Sequence, residues 1–96
     1  MAAYMIARVN VTDWDKYNEY IKLTPDIIAK YGGRFIVRGG ETVTFEGPEE
    51  KWRMVVVVFP DLARAEEFYH SPEYTVAKEI RAGAAEAQFV AVSGVE

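Results

Sequence analysis

The sequence predicts an α+β sandwich of β-α-β-β-α-β order, with one four-stranded antiparallel sheet and helices on one of its faces. Three observations carry this and the assembly expected of it. The apolar period switches between strand-like and helix-like in that order along the 96 residues. The two crossovers echo one another: Asp13 and Asp61 each open a helical stretch of about ten residues, after which Thr24-Pro25-Asp26 and Ser71-Pro72-Glu73 repeat one hydroxyl–proline–acid triplet. Finally, the third strand is apolar on both faces.

The elements follow in turn. Tyr4–Val11 alternates loosely and is rich in β-formers, a first strand. In "TDWDKYNEYIKL", Thr12 or Asp13 caps a helix whose Trp14, Tyr17 and Ile21 fall at helical spacing. "TPDIIAKYGG" is expected to restart a helix, with Thr24 as cap, Pro25 in the first turn and Gly32-Gly33 as the stop. "RFIVRGG" is the second strand, and "ETVTFEG" a short strand or hairpin arm. Lys51–Phe59 is the strongest strand. Asp61 then opens the helix "LARAEEFYH", "SPEYTVAKEIRAG" forms another capped helix, and "EAQFVAVSGV" is the last strand. Two right-handed βαβ halves of this kind pack into the ferredoxin-like sandwich.

That topology leaves one sheet face without helices, and a strand with one wet face should alternate. Met54, Val55, Val56, Val57 and Val58 do not. A second copy of the chain, laid sheet against sheet, is the expected cover, so the partner expected first is the chain itself.

Composition narrows the rest. At 96 residues one domain, 1–96, is expected, and a chain this short buries only about 60–65% of its unfolded surface. Half the residues are hydrophobic, too many for disorder. The net charge of −4, without basic clusters, argues against nucleic acid. No cysteine is present, which removes disulfides, thiolate metal sites and thiol catalysis. "MAAYMIARVNV" carries Arg8 mid-run and reads as a strand, and "MVVVVFP" is far below the roughly 20 residues of a membrane span. A cytoplasmic protein without a membrane partner is expected.

"GGRFIVRGG", "FEG" ahead of "WRMVVVVFPD", "YHSPEY" and the later Arg81 resemble, in order, domain-of-unknown-function family 1330, which belongs to the dimeric α/β-barrel (ferredoxin-like) superfamily. The resemblance spans nearly the whole chain and implies a dimeric barrel with room for a small-molecule pocket. The superfamily holds cofactor-free monooxygenases, isomerases, haem proteins and ligand-sensing domains, so the fold names no reaction. By position the family pattern covers Tyr20, Arg38, Arg53, Glu73, Tyr74 and Arg81, among others. Two positions depart from it: His70, where members commonly carry asparagine or another small polar residue, and Phe68, where many have tryptophan.

The residues themselves assign no catalytic group. His70, the single histidine, could act as acid or base; the plainer reading is an exposed helix-terminal residue. No acid or histidine cluster has metal-ligand spacing, and no cofactor is expected. Arg38, Arg53 and Arg8 fall on or beside strands, where arginine is unusual unless it is paired or faces a ligand; Arg38 could hold a substrate carboxylate or form an ion pair with Glu41, Glu46 or Glu73. Strand parity puts Arg34, Ile36 and Arg38 on one face and Phe35 with Val37 on the other. Tyr31 and Tyr74 lie near helix ends, where a phenol reaches both a pocket and a polar partner. With Trp52 and Arg38 they are the candidate ligand-binding residues, ahead of His70. Two readings stay open: a small enzyme or binder acting on an organic acid or aromatic metabolite between sheet and helices, and a non-enzymatic ligand-sensing or interaction dimer.

Overall fold

Along the first strand, β1 (Ala3–Val11), every second side chain from Ala3 to Val9 is buried, so one face of the strand lies against packed structure. The computed structural model describes residues 1–95. After β1 come α1 (Trp14–Lys30), β2 (Arg34–Arg38), β3 (Arg53–Phe59), α2 (Leu62–Tyr69), α3 (Pro72–Arg81) and β4 (Ala85–Ser93). The strands order as β2-β3-β1-β4, each neighbour antiparallel, which is the ferredoxin-like sheet with β1 and β3 in the middle.

Register defines the two faces. Met5 pairs with Val57 and Ala91, and Ala7 with Val55 and Phe89; this face carries the helices and the core. Ile6 pairs with Val56 and Val90, and Tyr4 with Val58 and Val92; no helix covers these. Val90 and Val92 are 52% and 50% exposed, an apolar surface open to solvent. Val56 and Val57 therefore point to opposite faces, as parity requires.

The two crossovers are not alike. In the second, the chain breaks as expected: Asp61 accepts the Arg64 amide at 2.8 Å, and Ser71 accepts the Tyr74 amide at 3.1 Å with Pro72 in the first turn. In the first, α1 runs unbroken from Trp14 to Lys30 with Pro25 inside it, and Thr24 is buried, not a cap. Pro25 has no amide proton for the Ile21 carbonyl one turn back. Instead the Thr24 hydroxyl donates to that oxygen at 3.4 Å and the Arg38 guanidinium at 3.2 Å. With the orphaned acceptor answered from outside the backbone, the helix continues.

Strand parity in β2 also fails, for a local reason. Phe35 pairs with Val57 and Val37 with Val56, so Ile36 is an extra residue in a bulge. Beyond it the faces swap: Arg38 pairs with Val55 and shares the helix-covered face with Phe35, whose ring lies 4.3 Å below its guanidinium carbon. The expected strand at Glu41–Gly47 is absent, and residues 40–52 form an irregular loop. Arg8 fastens it: its guanidinium donates to both carboxylate oxygens of Glu50, at 2.6 and 2.7 Å.

Candidate functional site

Between the sheet and the helices lies a chamber whose walls come from regular spacing. α1 turns Tyr17, Tyr20 and Thr24 inward, α3 turns Tyr74 inward, and both meet Met5, Val9, Val55 and Val57 of the sheet. Its interior is about 30 Å³, room for about two waters, and the void between the lining atoms including the open mouth is about 430 Å³. The Tyr20 and Tyr74 hydroxyls are 2.6 Å apart. One donates to the other, and the second keeps a proton free for a further acceptor.

The mouth is cationic. Arg38 arrives from the end of β2 and Arg53 from the start of β3, both lining the chamber. Gly39, at φ +73°, lets Arg53 pass; a Cβ there would collide with its guanidinium. Neither arginine is ion-paired among the described residues, where the pairs are Arg8–Glu50, Lys30–Glu73 and Arg64–Glu67. The ion pair anticipated for Arg38 is thus replaced by the Ile21 carbonyl and the Phe35 ring. The Nε of Arg53 is buried with no hydrogen-bond partner. Such an orphaned charged donor is costly unless something accepts from it.

Phenols and guanidinium groups supply all the titratable chemistry of this lining, which has no Asp, Glu, His, Lys or Cys. Burial pushes the Tyr20 hydroxyl well above its ordinary range, reinforced by Tyr74. Burial also raises Tyr74, against the hydrogen bond from Tyr20 and the charge of Arg81, and raises Tyr17 against the pull of Arg53. All three phenols stay neutral near pH 7, so they donate hydrogen bonds and do not act as bases. The arrangement can hold and stabilise an anion; it lacks a group to take a proton.

Of the five residues singled out in the sequence, Arg38 and Tyr74 line this chamber. Trp52 lies in an outer groove with Trp14 and Gly40, beyond Arg53, and its ring sits 5.0 Å under Arg8. Arg53 lines both spaces and separates them. Tyr31 is elsewhere: its hydroxyl donates to Glu73 at 2.9 Å, and with Lys30 it clasps the end of α1 to the start of α3. His70 caps the C-terminus of α2 at the edge of a separate groove. Arg53, Tyr17 and Tyr20 join the site without having been candidates. Arg53 was legible, since it is in step with Val55 and Val57 on the inward face of β3. Among the described residues no group of three or more His, Cys, Asp or Glu is placed to hold a metal, and no helix is long and apolar enough to cross a membrane.

Residues 2–95 match the family described as Domain of unknown function (DUF1330). No curated protein matches the chain. Among solved structures, RPA0582, a protein of unknown function from Rhodopseudomonas palustris, superposes with a TM-score of 0.79 at 18% identity, over 99% of this chain and 83% of that one. A dimeric ferredoxin-like protein of unknown function from Jannaschia sp. CCS1 gives 0.71 at 13%, over 98% and 100%. SnoaB, a cofactor-independent oxygenase from Streptomyces nogalater, gives 0.70 at 11%, over 99% and 94%. At these identities the likeness is one of fold.

Proposed function

The chain belongs to the family Domain of unknown function (DUF1330), and from that premise we propose that it is a homodimer that holds a small organic anion at the mouth of the chamber. The anionic end sits on Arg38 and Arg53, and the rest of the ligand lies at the open mouth, since the interior toward Tyr17, Tyr20 and Tyr74 has room for only about two waters. The observation that carries this is the buried, unpartnered Nε of Arg53, in a lining it shares with an Arg38 that has no ion-pair partner among the described residues. A carboxylate answers both guanidinium groups through charge-assisted hydrogen bonds.

Three observations support the dimer. The uncovered sheet face is apolar along Ile6, Val56, Val90 and Val92. The chain also exposes 6115 Å², against about 5,600 Å² for a typical monomer of its 10.9 kDa mass. The Jannaschia neighbour is named as dimeric. A two-fold pairing of this face removes the excess, and leaves the chamber free on the other side of the sheet.

Because the lining supplies no base, holding or sensing a ligand fits the site better than proton-transfer catalysis. The test is a thermal-shift screen of small carboxylates, aromatic acids among them, on wild type, Arg38→Ala and His70→Asn. Stabilisation that is unchanged in His70→Asn and clearly reduced in Arg38→Ala supports the site. Stabilisation lost only in His70→Asn, or none with any acid, contradicts it.

A further inference from the structure

We propose a second small-molecule site, distinct from the chamber mouth: the groove between α2, the end of α3 and β4 takes the carboxylate of a flat organic acid on Arg81. The groove is about 320 Å³, at the lower end of the range of ligand pockets. Its floor is short-side-chained, with Ala65 from α2 and Ala87 and Ala91 from β4, where larger residues would fill the space. Tyr69 and Phe89, their rings 5.8 Å apart, wall it.

Arg81 gives this groove its chemistry. Only 9% of the residue is exposed, and its Nε has no hydrogen-bond partner. Its guanidinium carbon lies 5.4 Å from the Tyr20 ring and 5.1 Å from the Phe89 ring. Those aromatic contacts, and its place in the last turn of α3, help to tolerate the charge. They do not answer its Nε–H, and no acid pairs with it among the described residues. Glu66 and His70 line the same groove and are exposed, so its rim carries one acceptor and one imidazole. The occupant that fits places a carboxylate deep on the Arg81 edge, lays a planar body over the alanines, and turns a polar group toward the rim. Met5 and Phe89 line both this groove and the chamber, so the two spaces lie on either side of a shared wall.

The experiment is an amide NMR titration of the full-length protein with benzoate, and with benzylamine as the cation of matching shape. Saturable shifts at Ala65, Ala87 and Ala91 with benzoate, much smaller with benzylamine, are the expected result. Arg81→Lys should weaken that binding about tenfold or more, because an ammonium does not reproduce the planar fork. Ala91→Leu, which fills the floor and leaves Arg81 in place, should abolish it even if Arg81→Lys does not fold. The proposal is overturned by shifts confined to the Gly39–Arg53 end, by equal shifts with benzylamine, or by no shift at the three alanines. Since the chamber reports through Gly39 and Val9, failure of one site is read separately from failure of the other.

Discussion

Replacing Pro25 by alanine should stabilise the protein and loosen Arg38 at the same time. A proline inside a helix costs about 3 kcal/mol relative to alanine. Here two contacts already serve the Ile21 oxygen that Pro25 leaves without a donor, from Thr24 at 3.4 Å and Arg38 at 3.2 Å. Both are long and Arg38 is exposed, so together they offset about 1 kcal/mol. The restriction that proline places on the unfolded chain offsets roughly another 0.5–1 kcal/mol. Pro25→Ala should therefore gain about 1 kcal/mol, or about 4–8 °C in Tm for a domain of this size. The new amide also competes with Arg38 for the carbonyl. A double-mutant cycle of Pro25→Ala with Arg38→Met, read by urea denaturation under circular dichroism, should show a coupling of about 0.5–1 kcal/mol. Destabilisation by Pro25→Ala, or additive effects across the cycle, would refute the link between the helical proline and the arginine.

Three further outcomes follow from the same contacts. Ser71→Ala should cost about 2 kcal/mol in chemical denaturation, the upper part of the N-cap range, because its buried hydroxyl accepts from Tyr74 N and donates to the Phe68 carbonyl; Thr24→Ala, which removes no cap, should cost less, and equal costs would restore the repeat. Glu73 is held at about 2, first by its hydrogen bond from Lys30, then by its own backbone amide and Tyr31; with the folded pKa below the ordinary 4.5, its contribution is full above pH 4.5 and fades toward pH 2, so Tm of wild type should fall more over that window than Tm of Glu73→Gln, and parallel curves would count against the clasp. Val56→Asp should yield folded monomer in light scattering while Val57→Asp unfolds the core, and a dimer that survives Val56→Asp contradicts pairing through the open face.

The topology was legible because it rests on patterns that span many residues. The alternating and helical periods, the Asp61 and Ser71 caps and the apolar third strand all survive small local irregularities. What the sequence misplaced depends on single long-range contacts. Thr24-Pro25-Asp26 has the same local chemistry as Ser71-Pro72-Glu73, yet only the second breaks a helix. Part of the difference is a guanidinium from β2, distant in sequence, which meets the Ile21 carbonyl. One bulge at Ile36 moved Arg38 from the face that parity gave it to the face bearing the chamber. Tyr31 and Tyr74 looked alike at helix ends, but the phenol of one meets an acid and that of the other meets Tyr20. Arg81 was visible only as part of a family pattern, because burial without a partner is a property of the folded chain.

Arginine side-chain NMR gives the most direct test of the anion site, since it observes the Nε–H group that the account leaves waiting for an acceptor. With nitrogen-labelled arginine, the Arg53 Nε–H signal should move downfield and exchange more slowly with water as benzoate is added, while that of Arg8, already paired with Glu50, should stay in place. An Arg53 signal that ignores benzoate at saturating concentration, or one that moves no more than Arg8, would contradict the claim that this mouth is built to receive a carboxylate.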